Sequence, residues 1–329
     1  MDQVIAAAGL RKHFGRPGHQ IEAVGGVSFE VERGEIFGFL GPNGAGKTTT
    51  LRMLTTLLPI DAGTATVAGF DVAHHSGRVR QRIGYVSQLG GADDLATGRE
   101  NLMLQGRLYG GEKRAVAARV DDVLGLLDLA GFAERRVRTY SGGQRRRLDV
   151  ALGIVHEPTV LFLDEPTTGL DPQNRANLWD HLRSLREQGT TVFLTTHYLE
   201  EADSLCDRVM IIDHGSIVAE GSPRELKRQV MGDSVLLEVA DEPNGLARAR
   251  GALEGAGFVR EMATTADGLL RLYVDDGARA LPEVLRRLDA IDVNVKTISL
   301  SAPSLDDVFL AKTGRSLRDG TALPAEVAA

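Results

Sequence analysis

EIFGFLGPNGAGKT, Glu35–Thr48, is the stretch on which the fold turns. Glu35–Leu40 is a short apolar run of the kind that makes a strand buried on both faces. GPNGAGKT, Gly41–Thr48, matches G-x-x-x-x-G-K-[ST], and a helical pattern over Lys47–Leu58 follows it. Gly41, Gly44 and Gly46, with Pro42, Asn43 and Ala45 between them, let backbone N–H groups turn inward around a polyphosphate. The helix N-terminus adds partial positive charge. At that terminus Lys47 is expected to reach the β- and γ-phosphates, and the Thr48 hydroxyl to ligate Mg²⁺. Thr49, the next residue, belongs to the same binding set.

Working outward, residues 2–8 and 27–31 read as strands, with a turn containing Gly and His between them. Another short strand ends over Tyr85–Gln88. From Gly98 to about Ala130 the pattern is helical, with Val116, Val120, Val123, Leu124 and Leu127 on one face at spacings of three and four. Val160–Leu163 and Thr191–Thr195 are two more buried-type strands, a helix spans Arg175–Gln188 between them, and Leu199–Cys206 begins the next helix. Alternating apolar strands and helices predict a mostly parallel sheet with helices on both faces. The helical block from about 90 to 155 interrupts the alternation as an inserted subdomain.

A boundary is expected near Gly232. Beyond it the order is strand (Val235–Val239), helix (Leu246–Leu253), strand (Phe258–Met262), strand (Leu269–Val274), helix (Ala280–Leu288), strand (Val293–Leu300). That is the β-α-β-β-α-β, split-βαβ arrangement. A last helix starts at Ser304, whose spacing to Asp307 suggests a cap. Residues after about 314 read as a disordered tail.

Two further motifs carry chemistry. LFLDEP, Leu161–Pro166, places Asp164 and Glu165 at the carboxyl edge of the sheet, where parallel sheets bind ligands. Asp164 suits magnesium held through water, and Glu165 suits orienting or deprotonating an attacking water; a DE pair after a strand can equally be a solvated turn. YSGGQRRR, Tyr140–Arg147, puts Ser141, Gly142, Gly143 and Gln144 at a helix start, which is either an anion-binding terminus or an ordinary capped helix.

Together these motifs, in this order, resemble the nucleotide-binding subunit of ABC transporters over about residues 4–225. The resemblance implies a P-loop NTPase (ABC-type) α/β domain over 1–230 and a small ferredoxin-like α+β accessory domain over 233–313. It implies that Ser141–Gln144 is the signature motif, which contacts ATP held by the other subunit of a head-to-tail homodimer. Tyr140 stands where leucine is usual. Gln88 matches the Q-loop, which senses magnesium and couples to the membrane partner, and Asp171 in Gly169-Leu170-Asp171 matches the D-loop at the dimer interface. His197 matches the switch histidine, and Phe14 takes the adenine-stacking position where tyrosine is commoner. Lys47, Glu165 and His197 are thereby the catalytic set, with ATP and Mg²⁺ as ligands.

The single cassette, RRRLDVAL (Arg145–Leu152), TTHYLEEAD and PSLDDVFLAKTGR (Pro303–Arg315) are similar to the daunorubicin/doxorubicin-resistance exporter ATPases. Some members of that group carry glutamine where this sequence has His197. The implied partner is a separate integral membrane permease, with this subunit peripheral on the cytoplasmic face. An importer ATPase, or an ABC protein acting on ribosomes or DNA, is the alternative.

Composition bears on those alternatives. The 329 residues carry 38 Lys and Arg against 45 Asp and Glu, a net charge of −7, the wrong balance for a nucleic-acid partner. No run of eighteen apolar residues occurs to span a membrane, and Asp2 stands where a signal peptide would be basic. The lone Cys206 reads as a buried structural thiol. The histidines other than His197 read as surface or structural, and Arg145–Arg147 as a solvated helix face, with a role near the dimer interface as the alternative.

Overall fold

The computed structural model describes residues 2–16, 19–230, 232–240, 244–265, 268–301 and 303–315. The expected tail beyond 314 lies almost entirely outside them. Backbone contacts divide the chain into two compact units, meeting at Pro223 and Arg224. The division falls nine residues ahead of Gly232, where the sequence pattern places it.

The first unit opens with a hairpin of β1 (Gln3–Arg16) and β2 (His19–Glu32). It continues through β3 (Ile36–Leu40), α1 (Lys47–Leu54), β4 (Ala62–Val67), β5 (Phe70–Asp71), α2 (Ser76–Arg82) and β6 (Ile83–Val86). Helices α3 (Gly98–Leu108), α4 (Lys113–Leu126) and α5 (Gly142–Ile154) follow. Then come β7 (Val160–Asp164), α6 (Pro172–Glu187), β8 (Thr191–Thr196), α7 (Leu199–Leu205), β9 (Arg208–Asp213) and β10 (Ser216–Gly221).

A six-stranded sheet runs β10-β9-β3-β8-β7-β6, parallel throughout except for the β9–β10 edge. Every residue of β3, β7 and β8 is buried, as a parallel sheet covered on both faces requires. A second, antiparallel sheet has the order β2-β1-β4-β5, and in it the strands that the sequence pattern places at 2–8 and 27–31 extend to 14 residues each. Phe29 of β2 packs 5.8, 5.7 and 6.0 Å from the rings of Phe37, Phe39 and Phe193, and Phe162 lies 5.4 Å from Phe193. Full burial of each such ring contributes about 1.5–3 kcal/mol.

Element ends differ from the sequence pattern for local reasons. Helix α1 stops at Leu54 rather than Leu58. Thr56 turns left-handed (φ 66°), and the N–H groups of Leu57 and Leu58 both donate back to the Arg52 carbonyl. The helical stretch after Gly98 breaks between α3 and α4, where Gly110 takes φ 85°. Helix α6 begins three residues early because Asp171 caps it, accepting from the Asn174 N–H at 2.8 Å, with Pro172 in the first turn.

The second unit comprises α8 (Pro223–Gln229), β11 (Asp233–Val239), α9 (Gly245–Leu253), β12 (Val259–Thr264), β13 (Leu270–Val274), α10 (Gly277–Asp289), β14 (Val295–Ser301) and α11 (Leu305–Thr313). Its antiparallel sheet has the order β12-β13-β11-β14, the ferredoxin-like arrangement. Val235, Leu237, Leu253, Leu272, Val284 and Leu288 form its own buried core. Ser304 and Asp307 make the reciprocal cap that the sequence suggested, and Asp307 also accepts from Arg271 at 3.0 Å, fastening α11 to β13.

Gly84 shows how closely the inserted helices approach the sheet. A Cβ there would lie 1.9 Å from the Gly153 carbonyl oxygen on α5. Gly84→Ala should therefore cost about 2 kcal/mol, a fall in Tm of roughly 4–8 °C. An unchanged melting curve would show that β6 and α5 are packed more loosely than described.

Candidate functional site

The carboxyl ends of β3, β7 and β8 converge because their register is parallel: Leu40 pairs with Thr196, and Asp164 with Thr195. The chain leaves β3 into Gly41–Thr48, leaves β7 at Asp164 and Glu165, and leaves β8 at His197. Gly46 closes the loop with φ 102°, and a Cβ there would sit 2.5 Å from the Ala23 carbonyl oxygen. Only glycine meets both conditions. A cavity of about 550 Å³ results, lined by Asn43, Gly44, Gly46, Lys47, Thr48, Thr49, Gln88, Glu165, Thr168 and His197, with Ala23 at its side. That volume suits a nucleotide-sized ligand.

Charges in the cavity are tightly arranged. The buried Lys47 ammonium donates to the carbonyls of Gly41 (2.8 Å) and Pro42 (3.0 Å) and lies 3.4 Å from Glu165 Oε1. Burial pushes its pKa down, opposed by Glu165 and Asp164. On the other carboxylate oxygen, Oε2, Glu165 accepts from Gln88 Nε2 and from Thr168 Oγ1, each at 3.3 Å. His197 Nδ1 is also 3.3 Å from Oε2, without the geometry of a formed hydrogen bond. Burial pushes the Glu165 carboxyl up, yet His197 and Lys47 together outweigh it, and the net direction is below the usual range.

Glu165 adopts φ 46°, a strained left-handed conformation for a side chain of its size. Its N–H donates both to the Thr195 carbonyl (3.1 Å) and to Thr195 Oγ1 (3.0 Å), which holds the turn. Beside it, Asp164 Oδ1 accepts from Thr195 Oγ1 at 2.7 Å and from Thr48 Oγ1 at 2.9 Å. Thr48 and Asp164 thus adjoin, with Gln88 lining the same cavity: oxygen donors of the type a hard divalent cation takes. Among the described residues no cluster of three or more His, Cys, Asp or Glu could hold a metal by itself.

Residues 24–168 match the ABC transporter family, and residues 221–313 match the family described as "ATP-binding protein DrrA1-3-like, C-terminal domain". The chain is 44% identical to the doxorubicin resistance ATP-binding protein DrrA of Mycobacterium tuberculosis, over 95% of this chain and 94% of that one. The chain belongs to the ABC transporter ATP-binding proteins. It is likewise 45% identical to the daunorubicin resistance ATP-binding protein DrrA3 of Streptomyces coeruleorubidus, covering 96% of this chain and 98% of that one. With the Nod factor export ATP-binding protein I of Ralstonia nicotianae the identity is 40%, over 96% and 95%. A nucleotide-free ATP-binding cassette of an ABC transporter superposes with a TM-score of 0.62, at 24% identity, over 69% of this chain and 94% of that one, a likeness of fold.

As an ABC cassette the chain binds ATP and is an ATPase, and its other family motifs lie outside the cavity. Ser141 and Gln144 cap α5 reciprocally: Ser141 Oγ accepts from the Gln144 N–H at 3.3 Å, and Gln144 Oε1 from the Ser141 N–H at 3.0 Å. Gly142 opens that helix, and Gly143 packs so closely on α6 that a Cβ would meet Asn174 Oδ1 at 2.2 Å. Asn174 in turn donates to Asp171 Oδ2 at 2.6 Å within the first turn of α6, so Asp171 lies close to the start of α5. Phe14 stands exposed on β1, its ring 5.8 Å from Lys12 Nζ. Cys206 is buried, and burial raises its pKa well above the usual thiol value.

One expectation is corrected. Arg145–Arg147 do not form a solvated face, for Arg146 is only 8% exposed. Its guanidinium donates to the carbonyls of Pro166 (2.6 Å), Ser87 (2.8 Å), Asp164 (3.2 Å) and Glu165 (3.4 Å). Arg145 reaches Asp94, and Arg147 the Leu127 carbonyl. A run of three cations reads as solvent-facing, but the helix turns its middle member about 100° from each neighbour, into the strand ends.

Because the folded Glu165 pKa lies below its unfolded value, its ionised form stabilises the fold above that unfolded value and loses the contribution as pH falls through the folded one. His197→Ala removes one depressing group, so the carboxyl should titrate higher than in the parent. Carboxyl ¹³C NMR, with Glu165→Gln identifying the signal, measures this. An unmoved titration would refute the pairing.

Proposed function

We propose that this chain is the ATP-hydrolysing subunit of a bacterial exporter that expels a hydrophobic drug or antibiotic through a separate integral membrane permease. Two copies would work as a head-to-tail, ATP-dependent homodimer on the cytoplasmic face of the membrane. The observation that carries the hydrolytic part is the Glu165 carboxylate, held among Lys47, Gln88, Thr168 and His197 in the cavity that Gly41–Thr48 borders. The export part is supported by relatives named for doxorubicin and daunorubicin resistance and for Nod factor export, matched along nearly their whole length.

In this reading the backbone N–H groups at the Gly44–Thr48 end of the loop, with Gly41, Pro42, Asn43 and Thr49 shaping it, bind the phosphates, and Lys47 balances charge as it develops. Thr48 and Asp164, with Gln88 alongside, would hold Mg²⁺, which when bound neutralises phosphate charge and polarises the bond to be broken. Glu165, kept ionised by His197 and Lys47, orients the attacking water and takes its proton. His197 fixes the carboxylate. Phe14 offers a ring for the base.

Ser141–Gln144 and Asp171 stand apart from their own chain's cavity, which favours their use on nucleotide held by a second copy. ATP binding would then stabilise the paired state, and hydrolysis would release it. No helix among the described residues is long and apolar enough to cross a membrane. Exposed leucines at 89, next to Gln88, and at 104 and 108 on α3 suit contact with an apolar partner.

Lys47→Ala should abolish ATP binding or turnover. Glu165→Gln should still bind ATP and accumulate as a dimer, while kcat falls by roughly 10²–10⁴. Normal turnover by Glu165→Gln would overturn its role. Affinity capture from detergent-solubilised membranes should bring down a polytopic permease, with turnover of the pair stimulated by hydrophobic drugs. Co-sedimentation with ribosomes instead would refute export.

A further inference from the structure

The structure assigns Arg146 a place in this machinery. It lies one turn along α5 from the Ser141–Gln144 cap, and its side chain points into the strand ends. Nε donates to Pro166, Nη1 to Ser87, and Nη2 to Asp164 and Glu165, so one guanidinium bridges the turn carrying Glu165 and the residue before Gln88. Asp149, one turn further along α5, accepts from the Gly91 N–H at 3.0 Å. Helix α5 therefore grips the Gln88 segment at both ends, while Gln88 itself donates to Glu165.

A buried cation whose bonds all go to backbone carbonyls is costly unless its geometry matters, since an apolar side chain would fill the space without desolvating a charge. Asp149, Glu201 and Asp164 offset the charge electrostatically. The planar fork of donors is what lets two carbonyl-bearing segments, Ser87 and Asp164–Pro166, be held at fixed angles, and a lysine ammonium on a flexible stem cannot reproduce it.

We propose that Arg146 is a positioning residue that makes the geometry at Glu165 depend on where α5 sits. Seating Ser141–Gln144 on nucleotide held by a second copy thereby sets the activity of this chain's own site. The inference rests on the composite-site reading above and deepens it: the two hydrolytic sites of a dimer are coupled through Arg146 of each chain.

The test is ATP hydrolysis by the full-length protein against Mg-ATP concentration, with R146K and R146Q. R146K keeps the charge and loses the fork; R146Q has no charge to desolvate and guards against misfolding of the first variant. Both should bind nucleotide within about threefold of the parent while kcat falls roughly 10–100-fold, and the Hill coefficient should drop from about 2 towards 1. Hydrogen–deuterium exchange with a non-hydrolysable ATP analogue adds a readout that mere structural support would not move. In the parent, residues 141–147 and 164–168 should gain protection together; in the variants, only 141–147. Parent-like kcat and cooperativity, or joint protection of both segments in the variants, would overturn the proposal. A parent with no protection at 141–147 and no cooperativity would instead locate the failure in the composite site itself.

Discussion

The hydroxyl of Thr195 is the contact on which the site depends. It is fully buried at the end of β8, donates to Asp164 at 2.7 Å and accepts from the Glu165 N–H at 3.0 Å. Both carboxylates are thereby referenced to one atom on the neighbouring strand. Thr48 at the start of α1 donates to the same Asp164 oxygen, so the phosphate loop is tied to the same point. The strain of Glu165 at φ 46° persists only because β7, β8 and the hydroxyl between them determine its position from several sides.

This arrangement explains why a lysine and a glutamate, both largely buried, can lie side by side on the cavity wall. Burial alone drives both towards their neutral forms, and their proximity opposes it. The balance keeps the Glu165 carboxyl below its usual range, and so ionised at neutral pH, beside the Lys47 ammonium. Neither group does this alone, and each is aimed by backbone: the Gly41 and Pro42 carbonyls hold Lys47, and the Thr195 carbonyl and hydroxyl hold Glu165.

Gly143, Asn174 and Asp171 form a second connected set away from the cavity. The tight approach of Gly143 to Asn174 brings the start of α5 against the start of α6. Arg146 leads from there back to the strand ends. One helix, α5, thus carries the Ser141–Gln144 cap at its start and, in its second turn, the side chain that holds the carbonyls around Glu165.

Much of this was legible in the sequence. The Gly41–Thr48 loop, the buried strand before it and the Asp164–Glu165 pair follow from glycine conformations, apolar runs and the habit of parallel sheets to bind ligands at their carboxyl ends. The β-α-β-β-α-β order of the second unit was readable from the pattern of its apolar segments, and the Ser304 cap from its spacing to Asp307. The antiparallel β2-β1-β4-β5 sheet was not, since pairing depends on distant residues such as Ile5 and Val67 coming into register. Nor was Arg146. A guanidinium in a run of arginines has no local mark of burial, and only the packing of α5 against the ends of β6 and β7 supplies the carbonyls that make burial tolerable. The sequence by itself determined which groups could do the chemistry, because their types and spacings are local. Tertiary structure decided which of them meet in one chain and which face outward, because strand register and helix packing are set by contacts between residues far apart in the chain.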